Sequence, residues 1–174
     1  MAKLNYQRVV DWAMHRRILD ESTAQFQMLK GTEEHGEMAT AILNGDREEL
    51  IDAIGDQLVV AIIQCAQLGY MDELDEWLDV PRYSFKRYTL LSDSKTIQQL
   101  SEALLVTVQQ GNVAASLARS RCARGDFDNL FDHLFRLCYV LGISPHQALD
   151  SVYDIISKRD GVMRNGVWVK VGDL

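Results

Sequence analysis

Lys30-Gly31-Thr32-Glu33-Glu34-His35-Gly36-Glu37 and, beyond the turn Asn44-Gly45-Asp46, Glu48-Glu49-Leu50-Ile51-Asp52-Ala53-Ile54-Gly55-Asp56 decide how this chain is read. They put up to six carboxylates on two consecutive predicted helices. Within each helix the key acids are three or four residues apart and share a face. Helices packed side by side bring the two acidic faces together, and such a cluster repels itself unless cations fill it. Asp52 and Asp56 also lie on a line that continues through Val59 and Ile63. Carboxylates in line with apolar residues are carried toward the interior, where an unpaired charge is costly. The competing reading is a solvated acidic face, with Glu49 serving only as a helix cap.

Hard divalent cations take oxygen ligands, and magnesium is held by a few carboxylates plus water and phosphate oxygens. Glu33, Glu34, Glu37, Asp52 and Asp56 are the candidate ligands, with Glu49 as a further one. A metal held this way can neutralise a polyphosphate and activate water, and a glutamate left over can take the proton. A di-iron carboxylate site is disfavoured, because no histidine follows an acid by three residues. No cysteine or serine nucleophile signature stands out.

The rest of the chain frames this pair of helices. With 174 residues and 47% hydrophobic content, one domain with a real core is expected. Only two prolines occur, and long periodic apolar segments point to an all-α fold, a helical bundle. The net charge of −7 argues against a general nucleic-acid binder. No segment has 18 uninterrupted apolar residues, so no membrane span is expected. Cys65 and Cys138 lie in apolar helical stretches and read as buried free thiols, which suits a reducing cytoplasm.

Six main helices are predicted. The first runs from Tyr6 to about Leu19, with Trp12 beside its apolar face. The second runs from Ala24 to Leu43, capped by Ser22 or Thr23, with Phe26 and Leu29 among its apolar positions. The third runs from Asp46, in a capping box with Glu49, to about Leu68. An irregular connection with one short helix spans 69–94. A fourth helix follows from Asp93 or Ser94 to Gln110, with Ile97, Leu100, Leu104, Leu105 and Val108 as its apolar face. Residues 112–124 extend it or form a separate piece, and Arg119, Arg121 and Arg124 there read as a solvated basic patch. The fifth helix spans Asp126–Gly142. The sixth opens at Ser144-Pro145 and runs to about Lys158. Asn165-Gly166 between Val162-Met163-Arg164 and Val167-Trp168-Val169 predicts a short extended arm. Leu50-Ile51-Asp52 and Leu130-Phe131-Asp132 match at a constant offset, with Arg136 at the place of Asp56. This echo suggests a degenerate duplication whose second copy has lost its acid pair.

Glu33-Glu34-x-x-Glu37, then Asn44-Gly45-Asp46-Arg47-Glu48-Glu49-Leu50, then an acid pair ending in Gly55-Asp56, resemble the all-α nucleoside triphosphate pyrophosphohydrolases of the MazG type. Asn5-Tyr6, Trp12, Arg16, Gln27, Lys30 and Val59-Val60 are similar to the short phage-type, MazZ-like members. So is the tail, Tyr153, Arg159, Gly161, Met163, Asn165-Gly166-Val167 and Val169-Lys170. The resemblance covers about 5–70 and 142–171, with 71–141 as a helical insertion. It implies one all-α domain that hydrolyses (d)NTP to (d)NMP and pyrophosphate with Mg2+, for which Mn2+ substitutes. It also implies a purine or (d)GTP preference and a homodimer or homotetramer in the cytoplasm, the host's if phage-encoded. Phosphoribosyl-ATP pyrophosphohydrolase shares the same helical core and is the alternative enzyme; a non-catalytic helical interaction module is the alternative from another class. Carried over, Glu33, Glu34, Glu37 and Asp56 become ligands or water-activating groups. Lys30, Arg159 and Lys170 become phosphate contacts, and Trp12 either a base-stacking residue or a core aromatic. Two departures stand out. The usual downstream motif is Glu-x-x-Asp, yet Ala53 holds the position three before Asp56; Asp52, four before and on the same face, can replace it, and Glu49-x-x-Asp52 is a competing register. Asp154 and Ile155 stand where many relatives have Asn and Glu.

Overall fold

Thr23 starts the helix that carries the first acids: its side-chain oxygen accepts from the Phe26 N–H at 3.2 Å. A computed structural model describes residues 4–79 and 95–173, and among these the fold is all-α apart from a C-terminal arm. Helix α3 runs Ala24–Asn44 and α4 Arg47–Gln67, close to the predicted second and third helices. Asp46 Oδ1 accepts from the N–H groups of Glu48 and Glu49, both at 3.1 Å. The expected capping box is half replaced, however. The Asp46 N–H donates back to the Ala41 carbonyl at 3.0 Å, within the turn that ends α3, so it has no need of the Glu49 carboxylate.

The predicted first helix is two. It forms α1, Gln7–His15, and α2, Ile18–Glu21, because Arg17 turns left-handed at φ 61°. The short helix expected in the connection is α5, Met71–Trp77. Pro81 and the stretch 82–88, like the predicted start of the next helix at Asp93 or Ser94, lie outside the described residues. Helix α6, Lys95–Ala118, is one continuous piece that takes in much of the segment after Gln110. Helix α7, Arg124–Leu141, starts two residues earlier than expected, and α8, Pro145–Ile156, is capped by Ser144 as predicted. Arg47 at the start of α4 donates to the Leu141 and Gly142 carbonyls at 3.0 and 2.7 Å, satisfying the free end of α7.

The main error of the sequence reading concerns α6. Its expected apolar face is outward: Ile97, Leu100, Leu104 and Val108 are exposed, and Val106, Val113 and Leu117 are buried instead. The buried face also carries Glu102, Gln110 and Ser116, and each finds a partner there. Glu102 takes Arg136 at 2.9 Å and His133 at 3.1 Å. Gln110 takes the Gly31 carbonyl at 3.1 Å, and Ser116 donates to Asp126 at 2.6 Å. Those bonds fix which of two apolar faces turns inward.

Side chains from α1 through α8 share one core, centred on Ile54, Leu58 and Ile62 of α4 and Phe127, Phe131 and Phe135 of α7. Beyond α8, β1 (Gly161–Arg164) and β2 (Val167–Lys170) pair antiparallel with Met163 opposite Trp168. Asn165 and Gly166 both take positive φ, 51° and 82°, as a tight hairpin with the right twist requires. Gly161 lies against the Trp168 ring; a Cβ there would sit 2.4 Å from it. The arm is thereby held flat over the junction of α1, α2 and α3.

Candidate metal and nucleotide site

Spacing on α3 sorts its surface. Phe26, Lys30, Glu33 and Glu37 follow at intervals of four, three and four, so they form one stripe. On α4, Asp52, Asp56, Val59 and Ile63 form the facing stripe. Between them lies a cavity of about 680 Å3. Trp12, Lys30, Glu33, Glu34, Glu37, Asp52, Asp56, Arg159 and Lys170 all line it. Every residue singled out from the sequence as a site candidate therefore reaches one space. The line from Asp52 to Ile63 runs from its acidic part to an apolar part that Val59, Val60 and Ile63 share. Glu49 also contributes to the lining, beyond its place in the first turn of α4.

Charge within the cavity is unbalanced. Glu34 is 2% exposed although it is a carboxylate. The Lys30 ammonium lies 2.5 Å from Glu34 Oε1 and 3.0 Å from Glu33 Oε2. Glu34 Oε2 is buried without a hydrogen-bond partner. Burial pushes the Glu34 pKa up to about 7 against the pull of Lys30, and the charge of Asp56 and the nearby Glu37 side chain add to the rise. Asp56 is pushed up to about 6, first by burial and then by Asp52, with Lys30 and Arg159 opposing. Burial works against the Lys30 charge as well, yet its bonds to Glu34 and Glu33 outweigh that and raise its pKa. Glu34 and Asp56 both resist ionisation first because they are buried and then because other acids stand near them.

The donor chemistry fits a hard divalent ion: six carboxylates border one cavity, and one of their oxygens is buried and orphaned. The fit is not that of a closed cage. Among the described residues no three acidic, histidine or cysteine side chains converge into a ready ligand set. Lys30 is the reason on α3, since its ammonium occupies the space between Glu33 and Glu34.

The register question at residue 53 has a structural answer. Ala53 is buried in the core at 2% exposure, whereas Asp52 lines the cavity. An acid at 53 would enter the packed core and not the cavity. Asp52, one full turn before Asp56, shares its face.

Trp12 and Trp168 meet edge to face with ring centroids 6.1 Å apart, and the Arg16 guanidinium stands 5.9 Å from the Trp168 ring centre. Both indole N–H groups are buried without partners. Phe26 and Leu29, expected in the core, line this cavity and remain exposed. The four-three-four stripe through Phe26 was the signal that could have found the first of them. On α7, at the positions matching Asp52 and Asp56, Asp132 and Arg136 pair with each other at 3.8 Å, and Arg136 also holds Glu102. The echoed segment is therefore self-neutralised.

No protein-family model matches the sequence, and no solved structure matches it. A curated relative is the uncharacterized 18.2 kDa protein of the rep-hol intergenic region of Haemophilus phage HP1 (strain HP1c1). It is 34% identical over 59 residues, which is 34% of this chain and 36% of that protein. The chain thus matches about a third of the length of this curated relative. No described helix is long and apolar enough to cross a membrane.

Proposed function

We propose that this chain is a MazG-like, Mg2+-dependent nucleoside triphosphate pyrophosphohydrolase, acting in the cytoplasm, that cleaves (d)NTP between the α and β phosphates. The observation that carries the reading is the shared cavity. Six carboxylates, the cations Lys30, Arg159 and Lys170, and the paired indoles of Trp12 and Trp168 border a single space large enough for a nucleotide. When bound, Mg2+ supplies charge neutralisation of the polyphosphate and a more acidic water. Glu33, Glu34, Glu37, Asp52 and Asp56 are the residues that would hold it. Arg159 would meet phosphate oxygens through its guanidinium fork and Lys170 as a point charge. A glutamate of the acid set that the metal leaves free would take the proton from that water. One of the two indoles would offer its face for a base to stack on.

One observation favours a second reading. Lys30 already neutralises Glu33 and Glu34, as it would in a non-catalytic helical module that needs no metal. Incubation with Mg2+ and each common NTP and dNTP, followed by separation of nucleotide products, tells the two apart. Monophosphate plus pyrophosphate is the expected outcome, lost on chelation. No turnover of any nucleotide would overturn the enzyme reading. Glu37→Ala and Asp56→Ala are expected to lower turnover by about a hundredfold or more; undiminished turnover in both would overturn the site assignment.

A further inference from the structure

One wall of the cavity belongs to a unit that stands apart from the helices. The arm closes on itself: its strands pair from Gly161 opposite Lys170 to Arg164 opposite Val167, and the Val171 N–H donates to the Asp160 carbonyl at 3.0 Å across its base. Residues 157–159 tether it to the end of α8. Among the described residues no backbone hydrogen bond joins its strands to the helices. Side chains hold it down instead. Trp168 meets Trp12 edge to face, and Gly166 lies against the Phe26 ring, which a Cβ there would approach to 3.3 Å. Arg16 spans the two ends of the arm, with its guanidinium 5.9 Å from the Trp168 ring centre and 3.7 Å from the Asp160 carboxylate. Val162, Val167 and Val171 stay 44–56% exposed, so the arm buries little apolar surface of its own. Docking also covers the indole N–H groups of Trp12 and Trp168 without giving either a partner, and water satisfies such groups once a cover lifts.

We propose that the arm is a lid, hinged at 157–159 and latched by Arg16, that shuts over the cavity on a polyphosphate. The proposal rests on the reading of this cavity as a nucleoside triphosphate site. The arm and its tether carry Lys170 and Arg159, two of the three cationic side chains that line the cavity; the third, Lys30, belongs to α3. A polyphosphate between α3 and β2 takes Lys30 from one side and Lys170 from the other, a bridge that the empty cavity lacks. Lids of this kind turn on a few residues at the end of an element, as 157–159 are at the end of α8. A ligand that binds only the docked arm raises the docked population, and its affinity scales with the docked fraction. Arg16 does not line the cavity, so it acts on the ligand only through the arm and is a positioning residue.

Spin labels on Val162→Cys and Leu43→Cys, in a Cys122→Ser background that leaves only the buried Cys65 and Cys138, report the arm against the body. Both positions are exposed, and Leu43 lies about 25 Å along α3 from Phe26, within the range of pulsed electron double resonance. Without ligand, two distances are expected, docked and lifted. Inorganic tripolyphosphate with Mg2+ is expected to gather them into the docked one, while calorimetry on the same chain reads binding. Binding with an unchanged distance distribution overturns the lid and leaves the reading of the site standing. No binding of tripolyphosphate overturns that reading and the lid with it. Arg16→Met is expected to lower the docked population and the tripolyphosphate affinity by the same factor, severalfold, and Arg16→Lys to restore part of both. An affinity that falls with the docked population unchanged overturns the latch. Should Arg16→Met fail to fold, the exposed Lys170 decides. Lys170→Met is expected to keep the ligand-free distribution and lose the shift that tripolyphosphate drives; an undiminished shift overturns the proposal.

Discussion

Glu34 presents one carboxylate oxygen to the Lys30 ammonium at 2.5 Å and keeps the other, Oε2, buried and without a hydrogen-bond partner. The pair is an internal counter-ion arrangement in which a side chain does part of what a metal would do. Removing the ammonium leaves a buried carboxylate uncompensated. Lys30→Met is therefore expected to lower the stability of the metal-free protein by about 1–3 kcal/mol, less than a fully buried pair because Lys30 is half in water. Millimolar Mg2+ is expected to restore more of that loss than it adds to the unaltered chain. Thermal denaturation of both proteins, in chelator and in Mg2+, measures this. Equal Mg2+ effects on the two would mean that Lys30 and the ion do not share a place.

The same crowding sets a pH dependence. Glu34 and Asp56, at about 7 and about 6, titrate above their unfolded values. The folded chain then holds protons the unfolded chain has released, so stability falls as pH rises between about 4 and 7. His35, whose pKa burial lowers, acts in the opposite sense on the acid side. The carboxyl effect is thus cleanest above pH 6.5, where Glu34 is still titrating. In chelator the melting temperature is expected to drop by about 2–4 °C from pH 6.5 to 8. Glu34→Gln is expected to flatten that slope. A melting temperature that rises over this interval would show that Glu34 is not held protonated.

Asp52, rather than residue 53, faces Asp56, and the two positions therefore behave oppositely. Asp52→Ala is expected to weaken Mn2+ binding by about tenfold or more, read by paramagnetic titration, with stability nearly unchanged or raised. Ala53→Glu is expected to cost several kcal/mol, because it puts a carboxylate into the packed core. It is also expected to fail to rescue Asp52→Ala. Rescue by the double variant would reassign the register.

What could be read from the sequence was local. The α3–turn–α4 unit announces itself through Asn44-Gly45-Asp46 and through acids at helical spacing, so its residues and their common cavity follow from position alone. The hairpin follows from Asn165-Gly166 for the same reason. Helix α6 was misread because periodicity cannot rank two apolar faces. The choice is made by Glu102 with Arg136 and by Gln110 with Gly31, partners 34 and 79 residues away. The break at Arg16-Arg17 had no glycine or proline to mark it; a left-handed arginine carries no local signature. Phe26 and Leu29 look like core residues in a hydrophobicity pattern, yet they border the cavity.

Trp12 and Trp168 leave two indole N–H groups unpaired beside the acidic cluster. If they receive a base, Trp12→Ala is expected to raise KM for the preferred nucleotide by about 5–50-fold, the loss of one stacking contact, with kcat within about twofold. Tryptophan fluorescence is expected to change on titration with a nucleotide in Mg2+-free buffer. If Trp12 is only a packing residue, its loss lowers the melting temperature and leaves KM where it was. Steady-state kinetics and a melt on the same preparation distinguish these outcomes.

Gly31 lies between Lys30 and the first acids, and its carbonyl is gripped from two sides. Gln57 donates to it at 2.7 Å and Gln110 at 3.1 Å, while Gln110 also donates to Gln57 Oε1 at 2.7 Å. Both glutamines are buried, so each depends on the other for satisfaction. Gln57→Leu or Gln110→Leu alone strands a buried polar group and is expected to cost about 1–3 kcal/mol by urea denaturation. The double Leu variant removes both amides together and is expected to cost less than the two single losses added. Strict additivity would show that the three groups do not act as one node. This node also ties α6 to the segment that carries Lys30, Glu33 and Glu34. The single variants are therefore expected to reduce Mn2+ affinity as well as stability, although neither glutamine lines the cavity. An unchanged metal affinity would confine the node to folding.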